Sequence, residues 1–129
     1  MQDVFSVDGK YYDVLIGNIK RSARIEEGDE SGTLLNGSYD RDLIGTYYDY
    51  DVEFGVNKLN PSDYDELYEC LTEPTDYHII TLPYGQSTLT FKAYISDVSD
   101  EYVKVLAGNK LWKGMSVSFT AQAPSKEAD

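Results

Sequence analysis

Cysteine, histidine and tryptophan each occur once in this chain, and those scarcities remove much of the usual chemistry. A single cysteine, Cys70, excludes an intramolecular disulfide and any thiolate-rich metal site, and leaves the redox compartment open. With His78 as the only histidine, a site built from several imidazoles is excluded too. Cys70 lies beside Leu71 with nothing basic close in sequence to lower its pKa, so it reads as a buried, inert thiol. His78 falls in the apolar stretch Tyr77 to Leu82 and reads as a half-buried strand residue with one satisfied nitrogen, not as a general base. A phosphate-cradling glycine loop and a nucleophile elbow are both missing. We therefore expect no enzyme, with no catalytic residue, no metal ligand and no cofactor.

Basic residues are also few, 11 against 23 acidic ones, for a formal charge of -12. A surface of that sign repels phosphate backbones, which argues against nucleic-acid binding. Long apolar runs are missing: no stretch approaches the roughly 18 residues of a membrane span. Met1 to Lys10 shows no basic patch followed by an apolar run. The expectation is a soluble chain made in the cytoplasm, with no membrane partner.

What the chain does have is bulk and rhythm. Its 129 residues suit a single domain, 1–129, able to bury roughly 65–70% of its unfolded surface. Hydrophobic residues make up 41%, enough to fold, and 12 tyrosines can pack while keeping a hydroxyl wet. Strict alternation marks the strands. Met115, Val117, Phe119, Ala121 and Ala123 share one face, and Leu89, Phe91, Ala93 and Ile95 repeat the pattern over Thr88 to Ile95. Tyr48, Tyr50, Val52, Phe54 and Val56 do so over Tyr47 to Val56, ten residues that reach roughly 33 Å when extended. Shorter strands are predicted at Val4 to Val7, Tyr11 to Ile16, Ile19 to Ile25, Tyr77 to Leu82 and Tyr102 to Leu106. Asp8-Gly9 suits the tight turn of a hairpin, Pro83 and Gly85 close the Tyr77 strand, and Ser96 to Asp100 reads as a polar turn.

One segment breaks the two-residue period. Tyr64, Leu67, Tyr68 and Leu71 recur at helical spacing, Asn60 can cap, and Pro61 suits the first helical position. Asp63, Asp65 and Glu66 then face the positive end of the helix dipole, and Pro74 marks the stop. The prediction is a mainly β fold, a two-sheet sandwich or barrel, with one short helix over about residues 61–72 packed on it. Residues 26–45 carry Gly28, Gly32, Gly37 and Gly45 among polar groups, and read as an extended, hairpin-like arm ordered by a partner. Its apolar residues Leu34, Leu35, Leu43 and Ile44 would be exposed in a monomer. The tail from Pro124 to Asp129 is expected to fray.

Two acidic clusters and one aromatic set are candidates for a site. Asp49, Asp51 and Glu53 project from one strand face and could hold a hard cation or flank a glycosidic bond, but such a row is more often a solvated face. Glu26, Glu27, Asp29 and Glu30 lack the EF-hand pattern. Tyr11, Tyr12, Tyr47, Tyr94 and Trp112 are candidates for an exposed aromatic contact surface, suited equally to sugar faces and to protein interfaces.

The order of features resembles small tail proteins of phages and prophages, of the tail-tube or distal-tail kind. An N-terminal hairpin is followed by the arm Gly32-Thr33-Leu34-Leu35-Asn36-Gly37, a long strand, a short acidic helix, and closing strands through Trp112-Lys113-Gly114. The segments Tyr64 to Pro83 and Trp112 to Ser125 carry most of the likeness, which is structural and spans most of the chain loosely. The resemblance implies a non-enzymatic virion component made in the host bacterium. Its partners would be copies of itself, in rings often of six around a DNA channel, and neighbouring tail proteins. It also implies that the arm docks on an adjacent subunit through Leu34, Leu35, Leu43 and Ile44. The alternative is a carbohydrate- or host-surface-binding module using the exposed aromatics. An acidic DNA mimic is a third reading, and a hydrolase comes last.

Overall fold

The computed structural model describes residues 5–28, 31–106 and 108–127. Its elements run β1 (Ser6–Val7), β2 (Lys10–Tyr11), β3 (Ile16–Glu27), β4 (Gly32–Thr33), β5 (Tyr39–Asp40), β6 (Leu43–Phe54), α1 (Pro61–Leu71), β7 (His78–Tyr84), β8 (Ser87–Leu106), β9 (Asn109–Ala121) and β10 (Lys126–Glu127). The fold is mainly β with one short helix, as the periodicity predicts, and every strand pairing is antiparallel. Eight strands form one sheet. β3 runs along one side of β6 for the whole of β6. The other side of β6 is shared by β9, at Tyr50 to Glu53, and β10, at Gly45 and Thr46. Beyond β9 follow β8, β7, β1 and β2.

This sheet curls over itself, so the two layers of the sandwich-like body are continuous. β9 and β8 separate β6 from β7 in the ladder, yet Tyr48 of β6 meets Tyr84 of β7 with ring centroids 5.1 Å apart. Tyr50 stacks on Phe91 at 5.6 Å, and Phe5 lies 5.2 Å from Phe54 and 6.2 Å from Phe119. The core between the layers holds Phe5, Val7, Tyr50, Val52, Ile80, Leu82, Met115, Val117 and Phe119, all essentially inaccessible. Each of these side chains contributes about 1.5–3 kcal/mol by leaving water.

Local signals set the punctuation. Asp8 and Gly9 both have positive φ, +52° and +86°, as a two-residue turn matched to the strand twist requires. Asn60 caps α1 by accepting the Asp63 N–H at 3.2 Å, Pro61 opens it, and Tyr64, Leu67 and Leu71 are buried. The Asp63 carboxylate also accepts the Asp13 N–H at 2.7 Å, which fixes the chain after β2 against the helix. Tyr64 donates its hydroxyl to Asp100 of β8 at 3.2 Å from the other side.

Five expectations are corrected. The segment Tyr11 to Ile16 is not a strand: only Lys10–Tyr11 pairs, and residues 12–15 pass into the core and toward α1 before β3 begins. Ser96 to Asp100 is not a turn, because β8 continues to Leu106 and a bulge between Ile95 and Val98 absorbs an extra residue without ending the ladder. Pro83 does not close β7 but pairs with Thr88 inside it, next to the turn. Ala123 is exposed, beyond the end of β9. The tail does not fray at Lys126–Glu127, which pairs with β6 at Gly45 and Thr46, where a Cβ on Gly45 would lie 2.4 Å from the Lys126 carbonyl. Val4, at the start of a predicted strand, and Ala128 and Asp129 lie outside the described residues.

Candidate functional site

Residues 26–45 form the end of a long hairpin. The ladder between β3 and β6 persists to Glu27 and Leu43, despite the glycines, because backbone pairing does not require apolar side chains. Beyond it, β4 and β5 form a separate two-stranded tip that pairs with no strand of the main sheet among the described residues. Polar bonds hold this end together. Gly28 donates to the Asp42 carbonyl at 2.6 Å, Leu34 to the Ser38 carbonyl at 2.6 Å, and Asp42 N–H to the Ser31 hydroxyl at 2.6 Å. The Glu27 carboxylate accepts from the Tyr39 hydroxyl and from Arg41 Nε at 2.9 Å. The Tyr39 bond, chiefly, holds that carboxyl below its ordinary pKa, with Arg41 helping and burial opposing.

With its polar groups turned on one another, the arm leaves its apolar ones to solvent. Leu35 is fully exposed, and Leu34, Leu43 and Ile44 are each about half exposed, at 51%, 42% and 46%. The four residues predicted as a contact arm are thus all on this hairpin. Ile25, facing solvent at 55%, joins them. Asp29 and Glu30 lie outside the described residues.

The predicted aromatic surface is divided by the fold. Tyr11 and Tyr94 are exposed, but Tyr12 is buried in the core, because the chain leaves the sheet after β2 and turns that ring under α1. Tyr47 is half-buried beneath the Arg24 guanidinium, 4.6 Å from its ring centroid. Trp112 is half-buried against Tyr102, edge to face at 5.3 Å, and lines a hollow with Tyr64, Tyr68 and Asp100. In the row Asp49, Asp51 and Glu53, Asp49 accepts Arg24 Nε at 2.6 Å and the Ala121 N–H at 2.9 Å, Asp51 accepts the Ser118 hydroxyl at 2.8 Å, and Glu53 is exposed.

A second cluster has no counterpart in the sequence pattern. Asp8, Cys70 and His78 each bring one donor atom within 4.8 Å of the other two. His78 is buried, with Nδ1 2.7 Å from Asp8 Oδ2, while Asp8 Oδ1 accepts the Ile79 N–H at 2.8 Å. Burial raises the Asp8 carboxyl, but the bonds from His78 and Ile79 outweigh it and hold the group below its usual range. Burial pushes the Cys70 thiol up, opposed in part by the Tyr12 hydroxyl. No hydrogen bond joins Cys70 to His78 among the described residues, so the thiol has neither the partner nor the low pKa of an activated nucleophile. No family model matches this chain, and no curated protein is significantly similar to it.

Proposed function

We propose that this chain is a non-enzymatic structural component of a phage or prophage tail that joins copies of itself into rings or tubes, and that its β3–β6 hairpin arm makes the joint. The observation that carries this reading is the exposure of Leu34, Leu35, Leu43 and Ile44 on an arm whose two-stranded tip stands apart from the main sheet. Apolar residues on a polar-rimmed projection mark an interaction site, and a hairpin held by its own hydrogen bonds can be inserted without first being ordered.

Magnitudes favour a contact that combines side chains and backbone. Covering the exposed parts of Ile25, Leu34, Leu43 and Ile44 and the whole of Leu35 is worth on the order of 5–9 kcal/mol. That only reaches the lower part of the roughly 4–15 kcal/mol cost of immobilising two proteins against each other. The outer edge of β3, which pairs with no strand among the described residues, supplies the rest by adding a neighbour's strand. An arm meeting a different surface of the next copy is a head-to-tail contact, and such contacts close into rings when the rotation permits. The charge of -12 keeps a passing nucleic acid from adhering. A carbohydrate- or host-surface-binding module is less well supported, since Tyr12 is buried and the other aromatics sit on separate strands.

The test replaces Leu34 and Leu35 together by serine and measures molar mass by light scattering. The expected result is a smaller species with an unchanged circular dichroism spectrum. An oligomer of undiminished mass would overturn the assignment of the joint to the arm.

A further inference from the structure

The two layers of the body do not end together. Tyr84, the last residue of β7, lays its ring against Tyr48 of β6, and the chain then turns back at Gly85 and Gln86. β6 and β3 run on past that contact to Leu43 and Glu27. The register fixes which side chains are left uncovered. Ala23 pairs with Tyr48 and Ile25 with Thr46, so both point to the same side of the sheet as the core residues Tyr50 and Val52. Yet Ala23 is exposed, and Ile25 is 55% exposed. They form a strip of inner sheet face that lies beyond the end of the second layer.

Charge marks the same strip. Arg21 lies 5.1 Å from the Tyr84 ring centroid and Lys126 5.9 Å from that of Tyr48, and the Tyr84 hydroxyl donates to the Tyr48 hydroxyl at 3.1 Å. Two exposed cations thus flank a bonded pair of phenols. Neither is paired with a carboxylate among the described residues, whereas Lys10, Arg24, Arg41 and Lys113 all are. Asp49 and Asp51 alternate to the opposite side of β6. Copies of a chain with a charge of -12 repel one another over most of their surface. A cationic island bordering an apolar strip is where an anionic, apolar segment is drawn in.

The chain itself holds a segment of that kind. Residues 26–45 carry six carboxylates against one base, Arg41, and their tip presents Leu34 and Leu35 to solvent. β4 and β5 make the tip two strands wide and one layer thick. Laid on the strip at the roughly 10 Å spacing of packed sheets, such a piece takes the place of the missing layer.

We infer that the strip of Ala23 and Ile25, flanked by Arg21 and Lys126, is the acceptor for the β4–β5 tip of a second copy. The inference rests on the arm being the joint, as proposed above, and adds the surface that the arm meets. Each copy gives a tip at one place and receives one at another, the head-to-tail arrangement from which rings close. The docked tip covers a face of β3 and leaves the hydrogen-bonding edge of that strand open.

Position-specific cross-linking on the full chain tests this. In a Cys70→Ser background, a chain carrying Leu35→Cys is mixed with one carrying Ile25→Cys and treated with a short bismaleimide. The product joining the two unlike chains should exceed both like-with-like products by about tenfold or more. Adding Arg21→Glu and Lys126→Glu should lower its yield about tenfold. Lys104→Glu with Lys110→Glu, the same change of charge placed on the β8–β9 hairpin, should leave the yield unchanged. All six of these positions are exposed, so circular dichroism should be unaltered throughout. Absence of the unlike product, or an equal loss from the two charge changes, would overturn the acceptor. If Leu34→Ser with Leu35→Ser nevertheless lowers the molar mass, the arm stays the joint and only its landing place is wrong; if the mass is kept, the joint falls as well.

Discussion

The Tyr50 hydroxyl donates a hydrogen bond to the Pro83 carbonyl, 2.9 Å away across the core, and so joins β6 to β7 although two other strands lie between them in the sheet. Pro83 has no N–H to give the ladder, but its carbonyl is free to accept, and the buried phenol needs a partner. This bond and the Tyr50–Phe91 stack close the curl. Tyr50→Phe keeps the ring and removes the bond, so it should cost about 1 kcal/mol in urea unfolding with an unchanged m value. Undiminished stability would mean that the curl is held by packing alone.

Gly114 is the tightest point of the fold. Its φ is +124°, and a Cβ there would lie 2.0 Å from the Phe54 carbonyl and 2.9 Å from that of Gly55. Neither neighbour is a side chain that can swing away. Gly114→Ala should therefore destabilise by about 1–3 kcal/mol, seen as a lower thermal midpoint. A neutral substitution would contradict the close approach of β9 to the end of β6.

Acid should loosen the arm before it loosens the body. The Glu27 carboxyl is held below its ordinary pKa by Tyr39 first and Arg41 next. Its contribution is therefore complete above the unfolded carboxyl value of about 4.3 and is lost as pH falls through the depressed folded value. The group is at the surface, so the effect is local and reduced by salt. In NMR titration the Glu27 midpoint should fall below that of a free glutamate, and the Gly28 and Leu34 amides should lose exchange protection at that midpoint. An ordinary Glu27 midpoint, or no change at those amides, would contradict the picture of a tip held by this carboxylate.

Where side chains carried the information, the sequence was legible. The alternation of Met115, Val117, Phe119 and Ala121 places all four in the core, Asn60 and Pro61 open α1 where the spacing puts it, and Asp8-Gly9 forms the predicted turn. Where the backbone decided, it was not. Ser96 to Asp100 looks like a turn because its residues are polar, yet β9 continues alongside and a bulge takes up the mismatch. The glycines of residues 26–45 conceal how far β3 and β6 stay paired. Tyr12 is buried through a path that leaves the sheet, which no local period announces. Asp8, Cys70 and His78 meet only through the tertiary fold, and no spacing along the chain links a turn, a helix end and a strand start. A polar turn residue, a lone cysteine and a lone histidine each look unremarkable until the helix is laid beside the first hairpin.

The most direct test of self-assembly through the arm is negative-stain electron microscopy of the purified protein at micromolar concentration. Closed rings or stacked tubes are the predicted result, with subunits joined where the β3–β6 hairpin reaches its neighbour. A field of separate, monomer-sized particles that persists as concentration is raised would contradict it.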